Sequence, residues 1–421
     1  MRGLIARSIV AIAVLTVPCL GFAAKTVNLT YDDLAKLVQE NNKTVTGTKR
    51  FTEAAETRTG HLVRSYLPTL RAEAGGEAFQ TGAYKQQTEP YGGAEARINL
   101  FRGGRDALEE DARQAQVQAS NANEKRTYLS ELNQARDVYW SLVFTKEMIN
   151  ILNDAVEQNE KALSMANRRI QRGLGTETDR LEFEIYRSQL KEEIESLEHE
   201  TKLIEIRLAA IVGLDTDTRF KTPVKIEHEH DDPLIQEAYS PASHPEVVSL
   251  KASSESFYAQ KSASNRWWAP SVDIYAGYYL YTLRDRDYLA RRLRDDTVAG
   301  VRFTFELFDG LRSASDASAF SLQAQGYEEQ ADQRIKNADA HVQVAKEDLK
   351  HDHELIHNAE ERIVQGKKYL ARTLDEYNRG VKNSIDVLGA AQKYQSFLRQ
   401  YAERRRDYKI TKDGLLALMG K

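Results

Sequence analysis

The chain repeats itself at a spacing of 207 residues. Arg172-Gly173 answers Arg379-Gly380, Asp179 answers Asp386, Leu100-Phe101 answers Leu307-Phe308, and Gly103 answers Gly310. Upstream, Leu67-Pro68 answers Ala269-Pro270 at a spacing of 202, a difference that a hairpin loop absorbs. Such a repeat governs every later assignment, because both copies must fold alike. Heptads run in the same register. Tyr128, Ala135, Leu142, Ile149, Val156, Leu163 and Ile170 become Ile335, Val342, Leu349, Ile356, Ile363, Leu370 and Tyr377 when shifted by 207. A strict seven-residue apolar period signals supercoiled packing between helices.

Each copy reads as helix, strand, strand, long helix, break, helix. In the first copy the pattern predicts a helix over 32–66, strands over 69–80 and 91–101, and helices over 104–171 and 177–212. In the second it predicts a helix over 244–267, strands over 271–282 and 297–308, and helices over 311–378 and 384–417. The organisation expected is a signal segment at 1–23, a first repeat at 24–214, a linker at 215–243 and a second repeat at 244–421. A helix of about 68 residues spans about 100 Å. The simplest packing lays each long rod beside two half-length rods, in a molecule that spans a distance.

The strands carry a second constraint. Leu70, Ala72, Ala74, Gly76 and Ala78 alternate with Arg71, Glu73 and Glu77; Ala94, Ala96, Ile98 and Leu100 alternate with Glu95, Arg97 and Asn99. In copy two, Val272, Ile274 and Ala276 alternate with Asp273 and Gly277, and Val301, Phe303, Phe305 and Leu307 with Arg302, Thr304 and Glu306. One face is apolar and one polar, over about the length a tilted strand needs to cross a bilayer. Tyr278, Tyr279 and Tyr281 suit an interfacial girdle. Four strands cannot close a barrel, and open edges are not tolerated in lipid. Two chains would supply eight strands and three would supply twelve, and the pattern alone does not choose. A surface hairpin packed on a helix is the soluble alternative.

Composition narrows the class. With 59 basic and 63 acidic residues the net charge is −4, which argues against a nucleic-acid partner. Arg2 and Arg7, the apolar stretch from Ser8 to Phe22 and the small residues after it read as a secretory signal cleaved after Ala23. The single cysteine, Cys19, falls inside that segment, so the mature chain is expected to hold no disulfide. The remainder has no apolar run long enough for a transmembrane helix.

Several stretches taken together resemble the TolC family of outer-membrane efflux and secretion channels. They are Leu29-Thr30-Tyr31-Asp32-Asp33-Leu34 through Asn41-Asn42, Ser243-His244-Pro245-Glu246-Val247, and the corners Asn99-Leu100-Phe101-Arg102-Gly103-Gly104 and Glu306-Leu307-Phe308-Asp309-Gly310. The helix breaks from Arg172 to Asp179 and from Tyr377 to Leu388 complete the set. Lys43 departs from the pattern, which has Pro after the Asn pair; copy two keeps it as Pro245. The resemblance implies a mainly α fold with a small β part. Duplicated long-helix coiled-coil hairpins would form an α-barrel, and four strands per chain would enter a shared trimeric 12-stranded outer-membrane β-barrel. It also implies a passive exit duct of a tripartite efflux pump or type I secretion system in a Gram-negative outer membrane. Its partners would be two further copies, outer-membrane lipid, a periplasmic adaptor and an inner-membrane transporter of the RND, ABC or MFS type.

The helix breaks are then the periplasmic tip. Gly173 and Gly380 suit a helix end that needs positive φ, and Thr178 and Ser384 are candidate caps for the helices that follow. The resemblance implies that Gly173, Leu174, Gly175, Gly380 and Val381 meet the adaptor. It also places Asp179, Tyr377 and Lys382 in a gate of inter-helix polar links such as Asp179–Lys382, with Asp386 in a pore-lining acidic ring. One turn beyond Asp386 stands Gly389 in place of a second acid.

Other signals point to little chemistry. His228-Glu229-His230-Asp231-Asp232 and the pair His353 and His357 have ligand-type side chains, but solvated polar faces explain both. Gly173-Leu174-Gly175 lacks the context of a phosphate loop. The stretch from Arg284 to Asp296 reads as an external hairpin loop. No catalytic constellation, cofactor site or metal site is expected. A periplasmic adaptor and a soluble structural coiled coil remain the alternatives. The cargo, the transporter and the choice between efflux and protein secretion are not written in the pattern.

Overall fold

The computed structural model describes residues 26–81, 84–227, 233–284 and 291–421. The expected signal segment, the stretch 228–232 and residues 285–290 of the charged loop lie outside the described residues.

Two long hairpins dominate. In copy one α4 (Arg105–Gln171) turns back into α5 (Glu177–Ile211), and in copy two α7 (Arg312–Asn378) turns back into α8 (Ser384–Leu418). The long helices have 67 residues each and the shorter ones 35 each, so the long rods extend about 100 Å. The remaining half of each long helix is covered by other rods. α1 (Asp33–Asn41), α2 (Lys43–Thr57) and α3 (His61–Ser65) lie on α4, and α6 (Pro245–Ser264) lies between α4 and α7.

The expected helix over 32–66 is thus three helices. Asn42 leaves helical geometry at ψ 121° and caps α2, accepting from the amides of Thr44 at 2.8 Å and Val45 at 3.1 Å. Gly60, at φ 75°, breaks the chain again before α3. His244-Pro245 makes the matching start in copy two, where the His244 ring accepts from the Glu246 amide.

Packing differs along the rods. In the upper part of α7 the buried seven-residue series is a second one, offset by four residues from the predicted ladder: Ala317, Ala324, Ala331 and Ala338. Ala112, Ala115, Ala119 and Ala122 form the matching surface on α4. These small residues bring the backbones close enough for hydroxyls of α6 to reach neighbouring carbonyls. Ser256 donates to Ala112 at 2.9 Å, Ser249 to Ala119 at 3.1 Å and Ser254 to Ala324 at 3.0 Å. Further down α7 the predicted ladder is buried at Val342, Leu349, Ile356, Leu370 and Tyr377. On α4 the buried stripe moves off the predicted positions, from Ile149, Val156 and Leu163 to Leu152, Asn159, Ala162 and Ala166. The reason is that α4 faces both α5 and α8 there.

The middle of the rods carries a girdle. β1 (Thr26–Asn28) pairs in parallel with β4 (Arg219–Lys221). Leu29, Leu34, Val38, Leu142, Leu208, Phe220 and Ile226 close a core beneath them. A buried ion pair fastens the linker to the rods: Arg405 of α8 meets Glu147 of α4 at 2.5 Å. Both also hold Ile226, whose carbonyl accepts from Arg405 and whose amide donates to Glu147 at 3.3 Å.

At the far end stands one antiparallel sheet. Its strands are β2 (Thr69–Thr81), β3 (Tyr84–Arg102), β5 (Ser271–Arg284) and β6 (Arg291–Thr304), in the order β2-β3-β5-β6. β6 stops at Thr304 rather than at the expected 308, because Thr304 lies opposite Ser271, where β5 begins. The alternation predicted from the sequence survives. Leu70, 84% exposed, shares its face with Ile274, Val301 and Phe303, all exposed. On the other face Glu95 accepts from the Tyr279 hydroxyl at 2.8 Å and pairs with Arg97 at 2.8 Å, while Arg302 lies over the Tyr275 ring at 4.3 Å. Among the described residues no helix is long and apolar enough to cross a membrane.

Candidate functional site

The two hairpin turns are built alike from their sequences. Gly173 and Gly380, at φ 72° and 83°, close α4 and α7 with the same double bond pattern. Gly173 donates to the Ile170 carbonyl at 2.9 Å and Leu174 to Arg169 at 2.9 Å; Gly380 donates to Tyr377 at 3.0 Å and Val381 to Glu376 at 2.9 Å. This is the Schellman closure, which needs the left-handed residue that glycine supplies. It leaves Leu174 and Val381 standing out, 66% and 71% exposed. Gly175 leaves room for Arg169, whose Cβ would lie 3.1 Å from any side chain added there.

The caps that follow are not the expected Thr178 and Ser384. Thr176 caps α5 and Asn383 caps α8, each in a reciprocal box with the acid three residues on. Thr176 accepts from the Asp179 amide at 3.2 Å, and Asp179 accepts from the Thr176 amide at 3.0 Å. Asn383 and Asp386 exchange the same pair at 2.9 and 3.3 Å. Only the residue just before the first helical turn has the extended backbone that a cap requires. Asp179 and Asp386 therefore stand at equivalent, structurally occupied positions.

Beyond the caps the copies diverge. The second oxygen of Asp179 crosses to the other hairpin and accepts from the Ser384 amide at 3.4 Å. The Ser384 hydroxyl donates to Glu182 of α5. Burial opposes ionisation of Asp179, but the bonds from Ser384 and Thr176 outweigh it and hold its pKa below the ordinary value. Asp386 stays within its own hairpin, paired with Lys382 at 3.6 Å. Within one protomer, Lys382 and Asp179 are thus engaged with different partners.

Tyr377 lies fully buried between the hairpins. Its ring meets Phe183 edge-on at 6.0 Å, in a cluster with Ala162, Ala166 and Val387. Burial, with the charge of Asp179 added, raises the pKa of its hydroxyl, which has no hydrogen-bond partner among the described residues. Arg169 covers the other side of the ring at 4.2 Å. The pattern gave no warning of Arg169, because its counterpart 207 residues on is Glu376.

Of the ligand-type stretches noted in the sequence, His353 and His357 fall among the described residues. His357 is exposed beside Glu361 at 3.9 Å, and His353 tilts against Tyr408 at 6.4 Å. His61, Asp106 and Glu109 converge where α3 meets α4. There Arg102 already holds the Asp106 oxygen at 2.8 Å, so the group is an ion-pair cluster that ties the corner.

Comparison with known proteins fits this arrangement. The profile of the outer membrane efflux protein family matches residues 34–214 and 234–421. The chain belongs to that family. This efflux channel has the fold of several solved outer-membrane channels. Against CusC the TM-score is 0.78 at 13% identity, over 94% of each chain. Against VceC of Vibrio cholerae it is 0.76 at 14%, over 93% of this chain and 96% of that one. Against the open state of MtrE of Neisseria gonorrhoeae it is 0.72 at 15%, over 93% and 88%. A search of curated proteins gives no match. Family membership sets the efflux channel in the outer membrane as a transport duct, and it removes the adaptor and soluble coiled-coil alternatives.

Proposed function

We propose that three copies of this efflux channel assemble into one duct, with their strands closing a 12-stranded barrel and their hairpins forming a helical tunnel. The open sheet carries the reading. Its apolar face is exposed, and among the described residues of one chain β2 and β6 each lack a second neighbour. Lipid tolerates neither unpaired edge, and pairing β6 of one copy with β2 of the next satisfies both. Residues 1–23 direct export and are removed. The other end of the rods then reaches into the periplasm, where Leu174 and Val381 with Gly173, Gly175 and Gly380 offer an apolar rim to an adaptor. An inner-membrane transporter of the RND, ABC or MFS type supplies the energy.

The tip is the gate. Asp179, Tyr377, Lys382 and Asp386 hold the hairpins in a closed ring, with Lys382 facing Asp179 of a neighbouring copy and Asp386 lining the pore. A link such as Asp179–Lys382 is partly solvated and contributes about 0–1 kcal/mol, but threefold repetition biases the closed state by more. The test is Asp179→Ala with Lys382→Ala in planar bilayers, after the mass of the detergent-extracted complex has been measured. A trimer with raised closed-state conductance is expected. A monomer, or a trimer with unchanged conductance, would count against the assembly or the gate respectively.

A further inference from the structure

Arg169 is the last-turn residue of α4, and an arginine there ordinarily serves the carbonyls of its own helix. Here its bond on its own side runs past the helix end, from Nη2 to the Leu174 carbonyl of the turn at 3.0 Å. Through Nη1 it donates across the hairpin boundary to the Tyr377 carbonyl at 2.7 Å and the Lys382 carbonyl at 3.4 Å. Its guanidinium plane also covers the Tyr377 ring at 4.2 Å. One cation therefore sits at the C-terminal ends of both long helices, where each macrodipole is negative. The planar fork and delocalised charge suit this set of carbonyls and ring, which a lysine could not engage together. Glu376 occupies the equivalent position in copy two, so the link runs in one direction only.

We infer that Arg169 is the latch between the two hairpin turns of each protomer. It is a positioning residue that makes the turn at Gly173 and the turn at Gly380 move as one body. The hairpins cannot part at the tip while Arg169 holds both, so opening requires the Tyr377 and Lys382 carbonyls to be given up. A partner that settles on Leu174 and Val381 meets a pair of turns in fixed register. This inference rests on the reading of the tip as a gate.

The experiment compares Arg169→Gln and Arg169→Lys with the parent as detergent-extracted complexes. Nitroxide labels on Leu174→Cys and Val381→Cys report the separation of the turns. Cys19, the single native cysteine, lies in the segment proposed to be removed, so no other thiol competes. Arg169→Gln should lengthen and broaden the label distance within a protomer. It should also raise the open fraction in planar bilayers by about tenfold, the change equivalent to losing one charge-assisted hydrogen bond. Arg169→Lys should fall between parent and Arg169→Gln, because it keeps the charge and loses the fork. A parental label distance together with parental conductance in Arg169→Gln overturns the latch. The Asp179→Ala, Lys382→Ala variant is run alongside to separate the two ideas. If it leaks and Arg169→Gln does not, only the latch fails; if both stay closed, the gate reading fails with it.

Discussion

Glu147→Ala tests whether the girdle is held by charge. The Arg405 side chain is 3% exposed and Glu147 is 10% exposed, at 2.5 Å separation. Removing one partner of a buried pair costs about 3–5 kcal/mol, because the other charge is left in low dielectric. Arg405 would keep three partners, the Ile226 carbonyl, the Tyr401 carbonyl at 3.4 Å and the Tyr401 ring at 4.1 Å, which places the loss near the lower bound. The Ile226 amide would lose its acceptor, adding about 1 kcal/mol. The sum is about 4 kcal/mol. Chemical denaturation in detergent, followed by far-ultraviolet circular dichroism, should show that loss at an unchanged slope. Protease should also cut near Ile226 at lower concentration. The pair Glu147→Met with Arg405→Met should lose much less than the two single variants added together, since no charge is stranded. A single variant within about 1 kcal/mol of the parent, or a double variant as costly as the sum, would refute the argument.

Two other outcomes follow from single sites. Asp137 is pushed up to about 6 by burial and by the charge of Asp413. The folded chain then holds a proton that the unfolded chain releases above about 4, so the contribution of Asp137 to stability is fully present below about 4 and is lost as pH rises through about 6. Asp137→Asn should flatten that slope in denaturation curves taken across the range. In the sheet, a Cβ on Gly93 would overlap the Tyr279 ring, which lies against the wall. Gly93→Val should weaken the heat resistance of the oligomer on gels by about 1–3 kcal/mol of overpacking, and adding Tyr279→Ala should recover part of it.

Periodic features were readable in the sequence, and features that break the period were not. The 207-residue spacing and the heptads located both hairpins to within a residue or two at most ends, and alternation placed all four strands. Helix 32–66 was read as continuous because apolar spacing persists across Asn42 and Gly60, whose effect is on backbone angles. The caps were misplaced because Thr176, Thr178, Asn383 and Ser384 can all cap, and only the φ and ψ of the turn select among them. The alanine ladder of α7 escaped notice because alanine is ambiguous between surface and core until a neighbouring helix is placed against it. At the tip, the repeat drew attention to paired positions such as Asp179 and Asp386. It drew attention away from Arg169 and Glu182, whose interactions cross between the copies.

The matched lengths of the rods have a consequence for how such a chain can change. α4 and α7 have 67 residues each, and α5 and α8 have 35 each, although few side chains coincide. Deleting one residue from α7 alone would draw its tip back by about 1.5 Å and rotate everything beyond the deletion by about 100°. Both turns would lose their common level, and every seam contact below the cut would face the wrong neighbour. Substitutions are thus absorbed locally, while a change in length must be matched in the partner rod of the hairpin and in the other copy. The two halves are free to drift in composition and are locked in dimension.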